Sequence, residues 1–240
     1  YGHGVVPVAR AAVEGGAGWL AVALLEEALV LREAEIDVPI LLLAEPPIAA
    51  IPTLVDAEVT PTAYRAPFLA ALEGAAHARG RPLDVHFKID TGMQRDGSPQ
   101  DEWDERLEQL AASRWLQVTG IQTHLVRSED HLDPTTDAQL ALLDRFLDAA
   151  AALGIEPEYV HSANSAGTLL HPAARRSMVR PGICIYGLSP GADVAVTDHG
   201  LRPALSVISE VSMVKRISAG TAVSYGHIWS APTDGWLATV

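Results

Sequence analysis

The chain has 240 residues, 48% hydrophobic and 20% charged, with 30 acidic against 17 basic side chains and a net charge of -13. That composition is ordinarily globular and buries a core without disulfides, and the length holds one large domain or a domain and a half. Charge this negative repels nucleic acid and anionic membranes, so neither is an expected partner, while a small anionic ligand needs only a local pocket. The single cysteine, Cys184, forms no intramolecular disulfide and no leader peptide is visible, which fits a cytoplasmic protein. No apolar run reaches the roughly 20 residues of a membrane helix. The chain starts in the Gly-rich turn Tyr1-Gly2-His3-Gly4 and stops in the apolar run Trp236 to Val240, which reads as truncation at both ends.

In chain order, Val5 to Glu14 predicts a helix stopped by Gly15 and Gly16, and Trp19 to Ala23 a buried strand. Glu26 to Glu35 reads as helix, Pro39 to Leu43 as strand, Ile48 to Asp56 as helix and Ala57 to Thr60 as strand. A helix over Leu69 to Arg79 ends at Gly80, followed by a strand over Leu83 to Ile89, a helix over Glu102 to Ser113 and a strand over Leu116 to Leu125. Thr136 and Gln139 have capping-box spacing at the head of the clearest helix, with Leu140, Leu143 and Leu147 on its core face and Gly154 at its end. Glu158 to His161 and Val179 to Tyr186 are the last two strands of the series, with a short helix from Ser165 to Leu170 between them.

Seven strands separated by helices call for parallel pairing with crossover helices. The expected fold is α/β, a (β/α)8 TIM-type barrel missing its first strand, over residues 1–198. The rival, a doubly wound open sheet, wants a Gly-rich phosphate loop after its first strand, and none is intact. Beyond about residue 200 the pattern becomes β-rich: Ala204 to Val214 alternates, Trp236 to Val240 is strand-like, and residues 199–240 read as the start of a C-terminal β domain.

Barrel sites form at the C-terminal ends of the strands. There the sequence puts Lys88 and Arg95, then His124, then Asn164 and Ser165, then Arg180, Gly182 and Ile183. Cations, hydroxyls and glycines suit an anionic phosphate ligand. The scarcity of carboxylates argues against a glycosidase, and no metal-ligating cluster is evident. Each residue also has a plainer reading. Lys88 snorkels or is paired, Arg95 makes a loop ion pair, His124 is a hydrogen-bonded structural histidine, Asn164 and Ser165 cap a helix, and Cys184 packs in the core.

Taken together, the motifs resemble the alanine racemase family over essentially the whole chain. Tyr1-Gly2-His3-Gly4 looks like the segment that follows the family's cofactor lysine. KIDTGMQRDG (Lys88 to Gly97), HSANSAG (His161 to Gly167), VRPGICIYGLSP (Val179 to Pro190), LRPALS (Leu201 to Ser206) and VSYGH (Val223 to His227) match its further motifs in order. The resemblance implies a (β/α)8 barrel followed by a β domain, and a homodimer with sites at the subunit interface. It also implies interconversion of L- and D-alanine on pyridoxal 5'-phosphate held as a Schiff base, supplying D-alanine for peptidoglycan. Tyr1, Ser165, Gly182 and Ile183 match phosphate contacts, and Asn164 the position beside them. His124 matches the imidazole beside the cofactor ring, and Arg180 the arginine facing the pyridine nitrogen. Arg95 matches the arginine near the phenolic oxygen and substrate, and Lys88 a lysine that is often carbamylated and orients that arginine. Tyr225 matches the base that acts on the partner subunit's cofactor, opposite a lysine four residues ahead of Tyr1.

Racemisation needs a base on each face of the substrate carbon, and free phenols ionise near pH 10, so a tyrosine base needs positive charge or hydrogen bonds beside it. An arginine facing the ring keeps its proton, which implies a weakened electron sink and few side reactions. Without the Schiff-base lysine the 240 residues are expected to be inactive alone. The segment Leu125 to Asp130 departs from the family's Ala-rich form and is expected to touch none of the assigned residues. A broader-specificity racemase or a decarboxylase of the same fold, a non-catalytic pyridoxal-phosphate binder and a pseudo-enzyme are the competing readings.

Overall fold

The computed structural model describes residues 1–240, which separate into two compact units, Tyr1–Ala204 and Leu205–Val240. In the first unit six short strands alternate with helices. The strands are β1 (Leu20–Val22), β2 (Ile40–Leu42), β3 (Thr60–Ala63), β4 (Leu83–Lys88), β5 (Leu116–Gln122) and β6 (Tyr159–His161). The helices are α1 (Val5–Glu14), α2 (Leu25–Glu33), α3 (Ile51–Asp56), α4 (Ala66–Arg79), α5 (Trp103–Ala112), α6 (Thr135–Ala152) and α7 (Ser165–Leu170).

Every strand pairs in parallel with its neighbour in sequence, giving one sheet in the order β1-β2-β3-β4-β5-β6. That order, with helices as crossovers, is the winding of a (β/α) barrel and not of a doubly wound sheet, whose strand order reverses partway. The sheet curls far enough that Trp19, just ahead of β1, lies edge-on to Tyr159 of β6 with ring centroids 5.2 Å apart. Apolar side chains between the sheet and its helices form the core, among them Leu31, Ile40, Phe68, Leu72, Phe87 and Phe146. Phe87 of β4 stacks on Phe146 of α6 at 5.7 Å.

Three expectations are corrected. Val179 to Tyr186 is not a strand. Its first residues follow the edge of β6, where the Ser177 and Met178 N–H groups both reach Val160 O and the Arg180 N–H reaches Ala163 O. Pro181 then has no N–H to continue a ladder, and Ile183–Tyr186 turns into a 3-10 helix. Second, the strand expected at Ala57 to Thr60 starts only at Thr60. Residues 57–59 close α3, with Glu58 at φ 51° and the Val59 N–H returning to Leu54 O at 3.1 Å. Third, Thr136 and Gln139 form no capping box. The helix begins at Thr135, whose N–H donates to Asp133 Oδ1 at 2.8 Å, and Gln139 turns away to other partners.

In the second unit β7 (Met213–Ile217) pairs antiparallel with β10 (Gly235–Thr239), and β8 (Ala222–Val223) with β9 (Trp229–Ser230). The alternating run from Ala204 becomes strand only at Met213, because β10 lies beside it from there on. The last bond of that pairing runs from the Ser212 N–H to Thr239 O at 2.8 Å. No helix of either unit is long and apolar enough to cross a membrane.

Candidate functional site

A cavity of about 1430 Å³ opens on the inner face of the curled sheet, and nine of the ten residues singled out in the sequence line it. The tenth, Tyr225, lies in the second unit on the turn between β8 and β9, with its side chain 97% exposed. Ser224, Gly226 and His227 around it all have positive φ, at 63°, 68° and 50°. Non-glycine residues rarely hold that conformation, so this turn is an unusual backbone whose result is an outward-facing phenol.

The loop after β4 carries Arg95 and is tied shut at its base. Ser98 N–H donates to Lys88 O and Asp90 N–H to Ser98 O, both at 2.9 Å. Gly97 makes this closure possible: at φ 110°, a β-carbon there would lie 2.8 Å from backbone atoms of Ile89 and Asp90. Inside the loop the Asp90 carboxylate accepts the N–H groups of Gly92 and Gln94. Lys88, buried at the strand end, meets Asp96 with Nζ to Oδ2 at 2.7 Å. Burial pulls the Lys88 amine below its ordinary range, partly offset by Asp96. The other Asp96 oxygen is buried without a hydrogen-bond partner and lies 3.7 Å from Arg95 Nε. Arg95 itself is more than half exposed and extends into the cavity mouth.

Arg180 is the most constrained cation. Its Nη2 donates to Thr123 O at 2.7 Å, and its Nη1 to His161 O at 2.9 Å and to His161 Nδ1. Burial lowers its pKa to about 10, so it stays protonated near neutrality. An arginine only donates, which makes His161 Nδ1 an acceptor and puts the His161 proton on Nε2. That proton faces His86 Nδ1 at 2.9 Å, and His86 in turn carries its own on Nε2, a buried atom with no partner. Burial and the Arg180 charge hold His86 at a pKa of about 4 and His161 well below the usual range, so both are neutral. His124 is neutral for the same reasons, with burial, Arg180, Arg95 and Lys88 pushing it down to about 4.

At the other end of the cavity the backbone forms a cradle. Asn164 caps α7 by accepting the Gly167 N–H at 2.9 Å. Ser165 Oγ accepts the N–H groups of Gly182 at 2.9 Å and Cys184 at 3.3 Å, which leaves its own proton to donate elsewhere. The Tyr1 hydroxyl sits 2.9 Å from where a β-carbon on Gly182 would be, a space that only glycine leaves open. The departing segment after His124 does reach this cradle, contrary to expectation. Ser128 Oγ donates to Asn164 Oδ1 at 2.7 Å, and Asn164 Nδ2 to Leu125 O at 3.2 Å.

Asp96, His86, Gln139 and Ser128 are the contacts that sequence reasoning missed. Asp96 sits inside the KIDTGMQRDG motif, and His86, two residues before Lys88, shares its face of β4 by strand alternation. Ser128 meets Asn164 36 residues away with no local signal, and Gln139, marked in the sequence only as a helix cap, meets Thr91 48 residues away and His124 15 residues away.

Parallel strands wound in sequence order with helices as crossovers, and a cavity on the inner face lined by Arg180, His124 and the Ser165–Gly182 backbone, define a barrel-type α/β protein with a built internal site. Residues 1–190 match the family model "Alanine racemase, N-terminal domain". Alanine racemases of Salinispora tropica and Thermobifida fusca are 41% and 39% identical to the chain over its whole length, which spans 64% of each of them. Among solved structures, the alanine racemase from the D-cycloserine producing Streptomyces lavendulae superposes with a TM-score of 0.91 at 35% identity, and that from Streptomyces coelicolor with 0.90 at 36%. Each superposition covers 99% of this chain and 63% or 64% of the other. The chain belongs to the alanine racemase family.

Proposed function

We propose that this chain carries the cofactor site and one of the two proton-transfer groups of an alanine racemase that uses pyridoxal 5'-phosphate. The observation that carries the proposal is the cradle: Ser165 with a free proton, and Gly182 left open beneath the Tyr1 hydroxyl, in one cavity with Arg180 and His124. A phosphate would fit those donors, and His124 and Arg180 line the same cavity where the cofactor's ring would lie. When bound, the cofactor acidifies the proton on the α-carbon of an attached amino acid.

The residues of the chain then divide the work. Tyr1, Ser165, Gly182 and Ile183 hold the phosphate, with Asn164 fixing the start of α7 beneath it. Arg180, oriented by three bonds to Thr123 O and His161 and protonated near neutrality with a pKa of about 10, would serve the ring as a donor that keeps its proton. His124, kept neutral, offers a hydrogen bond beside the ring without adding a charge. Arg95 at the cavity mouth steers the substrate carboxylate. Lys88 supports the Arg95 loop through Asp96 and stays an amine, since a carbamate there would face a carboxylate at 2.7 Å. Tyr225 would remove or return the α-proton on one face in a partner subunit. The division of labour between units follows: residues of the first hold the cofactor and the second presents the tyrosine.

The test is binding first and turnover second. Pyridoxal 5'-phosphate titrated into the protein is expected to bind one to one, quench tryptophan fluorescence through Trp19 at the cavity wall, and be displaced by inorganic phosphate. Ser165→Asp is expected to abolish that binding. A chain extended to the length of its relatives is then expected to form D-alanine from L-alanine. Absence of saturable binding at millimolar cofactor, with the fold intact, refutes the proposal.

A further inference from the structure

The glutamine that the sequence placed in a helix cap has a different role. Gln139, 1% exposed on the first turns of α6, spends its whole side-chain amide on the two loops that carry Arg95 and His124. Its Nε2 donates to Thr91 Oγ1 in the loop after β4 and to His124 O in the loop after β5, both at 3.0 Å. Its Oε1 accepts the Val126 N–H at 2.9 Å. The two loops also meet directly, Thr91 Oγ1 to Thr123 Oγ1 at 2.7 Å. Gly92, beside the glutamine side chain, holds φ 142°, a backbone conformation that L side chains rarely adopt.

We infer that Gln139 is a positioning residue: by clamping Thr91, the His124 carbonyl and the Val126 N–H from one rigid helix, it sets where the His124 ring and the Arg95 loop stand relative to each other. The physical case is one of count and burial. Three polar groups of three separate residues converge on one buried side chain; Thr91 also meets Thr123, while the His124 carbonyl and the Val126 N–H are held by Gln139. A loop end held by two bonds to a helix keeps its residues within the few tenths of an ångström that a binding site needs. Naming His124 and Arg95 as the groups positioned rests on the proposed function; the clamp itself does not.

The experiment uses amide hydrogen exchange and histidine ring resonances by NMR on the protein without cofactor, with pyridoxal 5'-phosphate affinity measured alongside. Gln139→Glu keeps the shape and the acceptor for Val126 but loses both N–H donors. Gln139→Leu loses everything. The Val126 amide is expected to exchange at least about tenfold faster in Gln139→Leu and near the wild-type rate in Gln139→Glu. The His124 ring resonances are expected to move in both, and core amides of β4 and β5 to stay as they are. Affinity for pyridoxal 5'-phosphate is expected to fall about tenfold in Gln139→Leu. Unchanged His124 resonances in a folded variant overturn the inference, as does a rise in exchange spread evenly through the chain. Should Gln139→Leu fail to fold, Gln139→Glu decides alone: Val126 protected with His124 displaced supports the clamp, and both unchanged overturns it. If wild-type protein binds no cofactor, the proposed function fails while the exchange result still judges the clamp.

Discussion

Gly120 stands on β5 directly beside His86 of β4, and a β-carbon built on it lies 2.4 to 2.5 Å from three atoms of the His86 ring. The register explains the closeness: the pairing skips Thr119 between Val118 and Gly120, a bulge that brings Gly120 opposite the imidazole. Gly120→Ala therefore forces a movement of about 1 Å to restore ordinary contact near 3.5–4 Å. The ring has nowhere to go, since Trp19, His161 and Tyr159 stand against it at 5.3, 4.9 and 5.9 Å between centroids. A shift of that size takes the His86–His161 bond out of hydrogen-bonding range and leaves the buried His161 proton without an acceptor. Overpacking costs about 1–3 kcal/mol and the unsatisfied donor about 1–3 kcal/mol more, so a loss centred near 4 kcal/mol follows, on the order of 8–16 °C in Tm for a chain of this length. Scanning calorimetry measures it. Adding His86→Ala removes the clashing ring, so the double variant is expected to lose clearly less than the two single losses summed. A Gly120→Ala transition within about 2 °C of wild type, or strict additivity in the double variant, refutes the reasoning.

The three neutral histidines predict a pH dependence of stability. His86 and His124 have folded pKa values of about 4 and His161 lies well below the usual range, so below pH 6.5 the unfolded chain binds protons that the folded one does not. Stability is therefore full above about pH 6.5 and declines toward about pH 4, by about 1.4 kcal/mol per pH unit for each histidine. Urea unfolding at pH 7 and pH 5 is expected to show this, and His86→Gln to shrink the difference by about 2 kcal/mol; equal stabilities at the two pH values contradict it. Asp96→Ala strips the buried Lys88 of its partner at 2.7 Å and is expected to destabilise by about 3–5 kcal/mol in chemical denaturation. In bicarbonate labelled with carbon-13, the wild-type protein is expected to show no carbamate signal at Lys88; a wild-type signal contradicts the ion pair as described. Gly182→Ala drives a methyl group into the Tyr1 hydroxyl at 2.9 Å and is expected to weaken pyridoxal 5'-phosphate binding at least about tenfold while leaving Tm nearly unchanged. Unaltered affinity there removes Tyr1 and Gly182 from the cradle.

Local pattern was enough for the alternation of strands and helices, because period-2 and period-3.6 burial is written into consecutive residues such as those of α1, β4 and α6. The motifs were also enough to pick out nine residues that line one cavity, since barrel topology puts every strand end on the same face. Where local pattern misled, a distant partner had decided the matter. Val179 to Tyr186 has the residues of a strand but meets a proline where the ladder must continue, and the run from Ala204 waits for β10 before it pairs. Gln139 has the spacing of a cap, yet two loops 15 and 48 residues away offer its amide three better bonds. The partners of charge were decided in the same way: Asp96 for Lys88, and His161 with the Thr123 carbonyl for Arg180. A buried polar group takes whichever donor or acceptor folding brings within 3 Å, and only the tertiary structure determines which group that is.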